Sequence, residues 1–224
     1  MYSLEQVRIK ILPKEIKYKG KAGRFFQFLP NNQGLNEEYL YTHQPLSTNT
    51  IPVYSTSPVP IGKLDDDKEV NEAFHVLFCP AIIVARKGYA GRMFVVEKGK
   101  YIVHEDAYAI KAKKKYEGEI DLHWFCGHYS AEFSAHRTSY WGIGDFPRSL
   151  FKKMTVAIPL IEIQKKVATL YAKRDKMLKE LEQMQDIVKQ GISDAIKLVT
   201  HNGVDSKSQN TLTQPESLSR RKFA

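Results

Sequence analysis

The sequence predicts an α+β protein, with a mixed, strand-rich domain followed by one long helix that forms a coiled coil. Short apolar runs separated by turn residues fill the first 155 of the 224 residues. Residues 159–199 instead carry apolar side chains at steps of three and four, with no proline after Pro159. A polar, Ser/Thr/Asn/Gln-rich segment ends the chain. We therefore expect a domain over 1–155, a helix over 156–199 and a disordered tail over 200–224.

Six apolar runs in the first part are predicted strands because glycine-containing turns and polar segments bound them. They are residues 51–54, 76–78, 81–85, 93–96, 101–103 and 107–110. Residues 120–135 place aromatic side chains at helical spacing, which predicts one helix with its aromatic face in the core. A turn-rich connector over 140–149 and a strand over 155–158 follow, and Pro159 then suits the first turn of a helix.

The long C-terminal helix carries an apolar seam at near-heptad spacing, which indicates a coiled coil. Its apolar positions are Ile163, Val167, Leu170, Met177, Leu181, Met184, Val188, Ala195 and Leu198, and Arg174 occupies the slot between Leu170 and Met177. At 1.5 Å per residue the helix would reach about 60 Å. A helix of that length cannot bury its seam against a small domain alone, so we expect a partner helix, most simply that of a second copy.

Segments that would direct the chain to a membrane are not expected. The longest apolar stretch, 76–85, is interrupted by Pro80 and has about half the length needed to cross a bilayer. The first twelve residues mix charged with apolar side chains, unlike a signal peptide. Cys79 and Cys126 make no disulfide framework and are interpreted as reduced core residues, which favours a cytoplasmic protein.

Positive charge is concentrated in parts of the chain. The net charge is +9, and residues 8–24 hold seven basic residues against one acid. Four lysines fall within 111–115, whereas residues 37–72 hold seven acids against two lysines. Polarised basic charge is typical of proteins that bind polyanions, of which nucleic acid is the commonest. Charge that serves only solubility is the alternative.

Motifs for catalysis are missing or incomplete. The chain has no P-loop, no glycine-rich turn for an adenosyl cofactor and no Asn/Asp-Pro-Pro-aromatic loop for a flipped base. Carboxylates at 65–67 with Lys68, and at 105–106 with Lys111, could be parts of a nuclease site, but the first set lies in a charged loop and the second lacks alternate spacing. We expect no catalytic residue in this chain.

A metal site is not expected either. His123, Cys126 and His128 resemble half of a zinc site, but the second pair of ligands that would complete a tetrahedron is missing. Cys126 also has no evident base to activate it as a nucleophile. We interpret these residues as part of a histidine-bearing aromatic helix.

Three polar loops are candidate DNA contacts. The segment 86–92 combines two glycines three residues apart with basic residues and a tyrosine, so its backbone could approach DNA closely. The other two loops follow a strand at 54–57 and lie at 136–141. The candidate DNA-binding residues are Lys19, Lys21, Arg24, Tyr54, Ser55, Thr56, Ser57, Arg86, Lys87, Tyr89, Arg92, His104, Arg137, Thr138, Ser139, Tyr140 and Trp141.

The order of these segments resembles the specificity subunit of type I restriction-modification enzymes. The resemblance spans about residues 50–190, in the order IPVYSTSP (51–58), IIVARKGYAGRMFVV (82–96), YIVHEDAYAIK (101–111) and AIPLIEIQKKVATLYAKRDKMLKEL (157–181). The most specific part is Pro159, Leu160, Glu162, Gln164 and Lys165, which match the family's Pro-Leu-x-Glu-x-Gln-Lys start of a conserved helix. Residues 1–50 match less clearly.

The resemblance implies a non-catalytic subunit that reads one half of a split double-stranded DNA target. A conserved helix would space this domain from a second one and dock the methyltransferase subunits, with a restriction subunit as a further partner. Because this chain has one domain and one helix, the resemblance implies a half-length form completed by antiparallel pairing of two copies, which would read a palindromic split site. S-adenosylmethionine would bind to the partner methyltransferase, and no cofactor to this chain.

Two alternatives from other classes stay open. A coiled-coil assembly adaptor would bind protein through its N-terminal domain, which the acidic segment 37–72 suits. A free-standing, metal-dependent nuclease would use the carboxylates at 65–67.

Overall fold

The computed structural model describes the backbone of residues 13–140 and 143–205, and the side chains of residues 13–138 and 144–197. The chain divides into two compact units, with the boundary between Lys173 and Arg174. The predicted fold class is confirmed, because strand-rich sheets with short helices precede one long C-terminal helix. Within the described ranges, no helix combines the length and apolar character that crossing a membrane requires.

The described strands and helices have the following bounds. The strands are β1 (Ile16–Lys21), β2 (Phe26–Phe28), β3 (Thr50–Tyr54), β4 (Gly62–Asp65), β5 (Ala81–Ala85), β6 (Met93–Val96), β7 (Ile102–Val103), β8 (Ala107–Ala112), β9 (Thr138–Tyr140), β10 (Ile143–Asp145) and β11 (Thr155–Pro159). The helices are α1 (Ala22–Phe25), α2 (Glu37–Thr42), α3 (Lys68–Ala73), α4 (Leu122–Ala135), α5 (Arg148–Lys153) and α6 (Ile161–Asp205).

A four-stranded antiparallel sheet in the order β2-β8-β5-β6 forms the centre of the first unit. All five residues of β5 are buried because the sheet is covered on both faces. Successive side chains of a strand point to opposite faces. Ile82 and Val84 therefore join an aromatic cluster on one face, whereas Ala81 and Ile83 join a smaller apolar cluster on the other.

Three smaller strand groups surround this sheet. Strand β3 pairs antiparallel with β4 and parallel with β7, and it covers a second apolar core with Ile51 and Val53. Strands β9 and β10 form a hairpin. Strand β1 pairs with β11, so the beginning of the unit is hydrogen-bonded to the strand that immediately precedes α6.

Helix α4 contributes Trp124, Phe125, Tyr129 and Phe133 to the aromatic cluster, as its sequence spacing predicted. The carboxylate of Asp121 accepts a hydrogen bond from the backbone N–H of Trp124 at 2.8 Å, which caps the first turn. Trp124, Phe125 and Phe133 are completely buried, and Phe125 contacts the other two edge to face. Burial also raises the pKa of the Cys126 thiol above its ordinary value, which is consistent with an unreactive core cysteine.

The first turns of α6 belong to the first unit. Gln164 is fully buried; its amide nitrogen donates to the carbonyls of Glu119 and Pro159, and its oxygen accepts from the N–H of Asp121, all at 2.8 Å. Val167 and Tyr171 complete the aromatic cluster. Gln164 of the Pro-Leu-x-Glu-x-Gln-Lys pattern therefore joins α6 to the segment 119–121 and to the end of β11.

The bounds of α6 differ from the predicted ones at both ends. Pro159 does not lie in its first turn, because residues 155–159 are held in strand β11 by pairing with β1, and the helix begins at Ile161. At the other end the helix continues to Asp205 instead of ending at 199, so 200–205 are helical. The rest of the predicted disordered tail, 206–224, lies outside the described residues.

Two further expectations about the domain were wrong. Residues 76–78 form no strand, because only Leu77 pairs, in an isolated bridge to Tyr101. Instead of a single helix, the domain also contains α1, α2, α3 and α5. Helices α2 and α3 have only six residues, too few to show apolar periodicity, although Asn36 and Asp67 cap them with side-chain oxygens that accept from the N–H groups of Tyr39 and Val70.

Candidate nucleic-acid interface

The loop 86–92, which joins β5 to β6, displays a basic and aromatic surface. Gly88 and Gly91 both have positive φ angles, which the tight turn requires. A Cβ atom at Gly91 would lie 2.7 Å from the backbone of Ser134, so glycine lets the loop pack directly on the end of α4. Tyr89 is exposed, and the guanidinium of Arg92 lies over its ring at 4.6 Å. The loop therefore presents a preformed pair suited to stacking and phosphate contact.

The hairpin β9–β10 lies beside this loop. Lys87 forms an isolated β-bridge with Asp145, and a Cβ atom at Gly144 would lie 3.3 Å from that of Ala90. The side chain of Arg137 packs against Gly144 on the same hairpin. Two of the three loops that the sequence proposed separately are thus neighbours.

The turn between β7 and β8 fixes the base of this loop pair. The carbonyl of Asp106 accepts from the N–H groups of Arg86 and Lys87 at 2.7 and 3.2 Å. Its carboxylate lies 3.1 Å from the Lys87 ammonium group and 3.8 Å from the Arg86 guanidinium. Because backbone and side chain both hold the loop, the positions of the two cations are restricted before any ligand binds.

The third predicted loop, 54–57, is mostly turned inward. Ser55 and His104 are 5% and 2% exposed, and Ser55 Oγ lies 3.4 Å from His104 Nδ1. Burial lowers the pKa of His104, an effect that the nearby Asp106 carboxylate opposes. Tyr54 is half-buried between Phe94 and Tyr101. Ser55 and His104 therefore support the interior and are not placed to contact base edges, whereas Thr56 and Ser57 are partly exposed.

The basic N-terminal residues lie next to α5. Lys19 is exposed on β1, the ammonium group of Lys21 donates to Thr155 Oγ1 at 3.0 Å, and the guanidinium of Arg24 lies over the ring of Phe25. Between Lys21 and Arg24, a Cβ atom at Gly23 would lie 3.0 Å from the side chain of Lys152 on α5. A six-residue helix spans about 9 Å. Helix α5 therefore connects Lys152, which lies beside this basic region, to Arg148 at its other end.

Some predicted residues remain outside these descriptions. Thr138 is exposed, and its hydroxyl donates to the carbonyl of Asp145. Ser139 and Tyr140 lie in β9, but their side chains are outside the described residues, as is the whole of Trp141. The DNA-contact role of every predicted residue stays a prediction.

The predicted seam of α6 divides between two environments. Val167 is buried and Ile163 partly buried in the aromatic cluster of their own domain, so they do not form part of an exposed stripe. Of the remaining predicted apolar residues, Leu170, Met177, Leu181, Met184 and Val188 are 46–62% exposed. Ala195 is also exposed, and the side chain of Leu198 lies outside the described residues. Arg174 bonds to the carboxylate of Asp175 through Nε and Nη2 at 2.8 and 2.7 Å.

The carboxylates considered for a nuclease site each have a structural role. Asp65 accepts from the N–H groups of Leu46 and Ser47, and these bonds lower its pKa. Asp66 pairs with Lys100 at 2.6 Å, a contact that lowers its pKa, and Asp67 caps α3. These bonds hold the loop that carries the three carboxylates and engage each of them.

The residues considered for a zinc site are not brought together. His123 lies on the surface 2.7 Å from Glu97, whereas His128 is buried beside Tyr171 with a 3.0 Å hydrogen bond. In the described part of the chain, no group of three His, Cys, Asp or Glu residues is arranged to hold a metal ion.

Sequence reasoning missed two residues of this surface, Arg148 and Tyr108. Arg148 is the first residue of α5 and lies in the turn-rich connector, where its basic charge beside Pro147 was the available signal. Tyr108 lies in the apolar run 107–110, which was predicted only as a strand. Both line the same cavity as Arg86.

Comparisons with known proteins find similarity in structure only. No family model matches the sequence, and no curated protein matches it in sequence. The type I restriction-modification S subunit from M. genitalium superposes with a TM-score of 0.52 at 16% identity, covering 80% of this chain and 44% of that one. The HsdS subunit from Thermoanaerobacter tengcongensis gives a TM-score of 0.53 at 10% identity, covering 79% of this chain and 41% of that one.

A third similar structure comes from work on complex assembly and conformational transition of the type I restriction-modification system. Its TM-score is 0.59 at 10% identity, covering 83% of this chain and 45% of that one. This chain therefore spans less than half the length of the structures that it matches. At such low identity the likeness shows a shared fold, and the resemblance seen in the sequence is confirmed at that level.

Proposed function

We propose that this chain is a non-catalytic DNA sequence-recognition subunit of a type I restriction-modification complex. The observation that carries the proposal is the rigid basic surface formed by the loop 86–92 and the hairpin β9–β10, on a fold shared with specificity subunits. The cations of Arg86 and Lys87 are positioned by Asp106, and Arg92 is stacked on Tyr89. Such preorganised groups suit phosphate contact, with base readout by exposed residues of the neighbouring hairpin.

Methylation chemistry would belong to a partner chain. We expect S-adenosylmethionine to bind to a methyltransferase subunit. This chain would bind one half of a split DNA target and position the methyltransferase there. A restriction subunit would join the same complex.

We also propose that α6 pairs with the α6 of a second copy. Met177, Leu181, Met184, Val188 and Ile192 fall within about 80° of one helix face at 3.6 residues per turn, and all of them are exposed. An isolated helix in water has little stability without a packed apolar face. A two-fold pair would give the complex two recognition units and hence a palindromic split target.

The modification pattern of cellular DNA tests the recognition function. We expect a split methylated motif in cells that contain this chain together with its methyltransferase, and no such motif in cells that lack the chain. An unchanged set of methylated sites in the two strains would contradict the proposal.

Charge reversal distinguishes a DNA-recognition subunit from an assembly adaptor, the alternative that the acidic segment 37–72 favours. The triple variant Arg86→Glu, Lys87→Glu and Arg92→Glu should keep its partner proteins in a pull-down but lose the modified motif, because the phosphate contacts become repulsive. Lys63, Lys68 and Lys98 are exposed cations outside the loops, and their reversal to Glu is the matched control. An adaptor would retain the motif in both triple variants.

A further inference from the structure

A cavity of about 290 Å³ opens where the start of the loop 86–92, the β7–β8 turn and the first turn of α5 meet. Its polar lining residues are Asn31, Arg86, Glu105, Tyr108, Arg148 and Ser149. Two guanidinium groups therefore share one small space. Like charges in partly buried positions destabilise each other unless an anion lies between them or nearby.

Arg148 is held in this space without a carboxylate partner among the described residues. Its guanidinium lies over the rings of Phe28 and Tyr108, with distances of 5.4 and 5.7 Å to the ring centres. Its Nη2 atom is buried and has no hydrogen-bond acceptor in the described part of the chain. Burial lowers the pKa of Arg148; Tyr108 opposes this shift, and the positive charge of Arg86 adds to it. Arg148 is therefore a partly buried cation without a carboxylate partner among the described residues.

Two more donors in the cavity wall are unsatisfied. Arg86 Nε and the hydroxyl of Tyr108 are both buried without a hydrogen-bond partner among the described residues, and Tyr108 is 1% exposed. A buried polar group without a hydrogen-bond partner destabilises the folded state. Three buried donors from two arginines and a tyrosine thus line this cavity without a hydrogen-bond partner among the described residues.

Three carboxylates lie near the cavity. Glu105 accepts from the N–H of Gly34 at 3.1 Å, and the Asp106 carboxylate lies 3.1 Å from the ammonium group of Lys87 and 3.8 Å from the guanidinium of Arg86. Asp145 is close enough to raise the pKa of Tyr108, an effect smaller than that of burial. Because Glu105 also lines the cavity, an anion must lie toward Arg148 and away from this carboxylate.

The backbone around the cavity is fixed. The N–H of Arg86 donates to the carbonyl of Asp106 and the carbonyl of Arg86 accepts from the N–H of Phe146, while the carbonyl of Pro147 accepts from the N–H groups of Leu150 and Phe151 in α5. Arg86 and Arg148 are therefore presented from anchored segments, which reduces the entropy lost when they bind a ligand.

We propose that this cavity binds one phosphate group of the DNA backbone, with Arg148 and Arg86 neutralising its charge and Tyr108 donating a hydrogen bond. This inference rests on the proposed DNA-recognition function and adds Arg148 and Tyr108 to the candidate contacts. A non-bridging phosphate oxygen accepts several hydrogen bonds at once, and arginine is the side chain best matched to its geometry. The contact would hold the recognition surface in register on DNA without reading a base.

The test uses the full chain in its methyltransferase complex, with Arg148→Gln, Tyr108→Phe and the control Lys98→Gln, an exposed cation outside the cavity. Binding to DNA with and without the modified motif is measured from about 50 to 200 mM salt. Arg148→Gln should weaken both complexes about tenfold. It should also reduce the slope of log K against log salt by about 0.9. Tyr108→Phe should weaken both complexes with an unchanged slope, and Lys98→Gln should change neither.

A folded Arg148→Gln complex with the wild-type slope would overturn the inference. Inorganic phosphate separates this failure from failure of the proposed function. If the wild-type complex does not bind DNA, the proposed function and the assignment of the cavity to a DNA phosphate both fail. In that case, a rise in melting temperature on addition of phosphate that Arg148→Gln abolishes identifies a free anion as the ligand. If the wild-type complex does bind DNA, the same rise together with an unchanged salt slope in Arg148→Gln excludes the DNA backbone as the ligand.

Discussion

Replacement of Gln164 by leucine should destabilise the first unit more than any surface substitution on α6. Leucine and glutamine have nearly equal helix propensities, so the change acts through the three hydrogen bonds of the amide. These bonds reach Asp121, Glu119 and Pro159, each at 2.8 Å. At about 1 kcal/mol for each bond, the free energy of unfolding should fall by about 3 kcal/mol. That is a large part of the 5–15 kcal/mol typical of a domain.

Urea denaturation followed by tryptophan fluorescence measures this loss. Trp124 is buried in α4, whose capping residue is held by Gln164, so a Trp141→Phe background makes Trp124 the single reporter. Gln190→Leu is the control, because Gln190 is exposed and bonds only to Asp194 on the same helix. We expect the control to change stability by about 0.5 kcal/mol or less. Equal stabilities for the two leucine variants would refute the reasoning.

A glutamate at position 164 gives a second result from the same geometry. Its carboxylate could still accept from the N–H of Asp121, but it would place negative charge against the carbonyls of Glu119 and Pro159. The folded state should therefore raise the pKa of that carboxyl above the unfolded value of about 4.3. The folded form then binds more protons, so Gln164→Glu should gain stability relative to wild type as the pH falls from 7 toward 5.

Three further predictions concern other features of the fold. Gly91→Ala should destabilise the domain more than Gly88→Ala does. Both glycines have positive φ, but only a Cβ atom added at position 91 would meet the backbone of α4. Equal urea midpoints for the two variants would contradict this. Burial lowers the pKa of His104, so the unfolded chain binds a proton more readily. Stability should fall as the pH drops below about 6.5, and His104→Asn should flatten this dependence while the exposed control His75→Asn should not. Arg174→Leu should tighten pairing of α6 by removing a charge from the seam, and a dissociation constant unchanged in sedimentation equilibrium would show that Arg174 does not lie in the seam.

The fold was predictable from sequence where local signals are strong. Strands 81–85 and 93–96 are confirmed residue for residue, since Pro80 precedes the first apolar run and glycine-containing turns bound the other ends. The aromatic helix is confirmed to within two residues at its start and to the residue at its end. The six-residue helices were not predictable from periodicity. The strand at 16–21 was not predicted either, because it alternates lysine with residues that are only half-buried.

The candidate site was predictable in composition and not in arrangement. The loop 86–92 was identified because glycine and basic residues are close in sequence, whereas its contact with the hairpin β9–β10 depends on tertiary packing. Ser55 and His104 were proposed for base readout because both are polar and follow strands, but polarity does not reveal which face a residue occupies. Arg148 was missed because its role arises from Arg86 and Tyr108, which are remote in sequence.

Pairing between β1 and β11 has a consequence for the order of folding during synthesis. The register joins Lys21 to Thr155 and Ile16 to Pro159, so almost the whole domain must leave the ribosome before these bonds can form. Contacts between such distant residues slow folding, because the entropy of loop closure is lost before the contacts can stabilise the fold. The first unit therefore completes its fold only as the start of α6 emerges and Gln164 and Val167 become available. The exposed stripe of α6 is synthesised after that, so the first unit can complete its fold before this stripe leaves the ribosome.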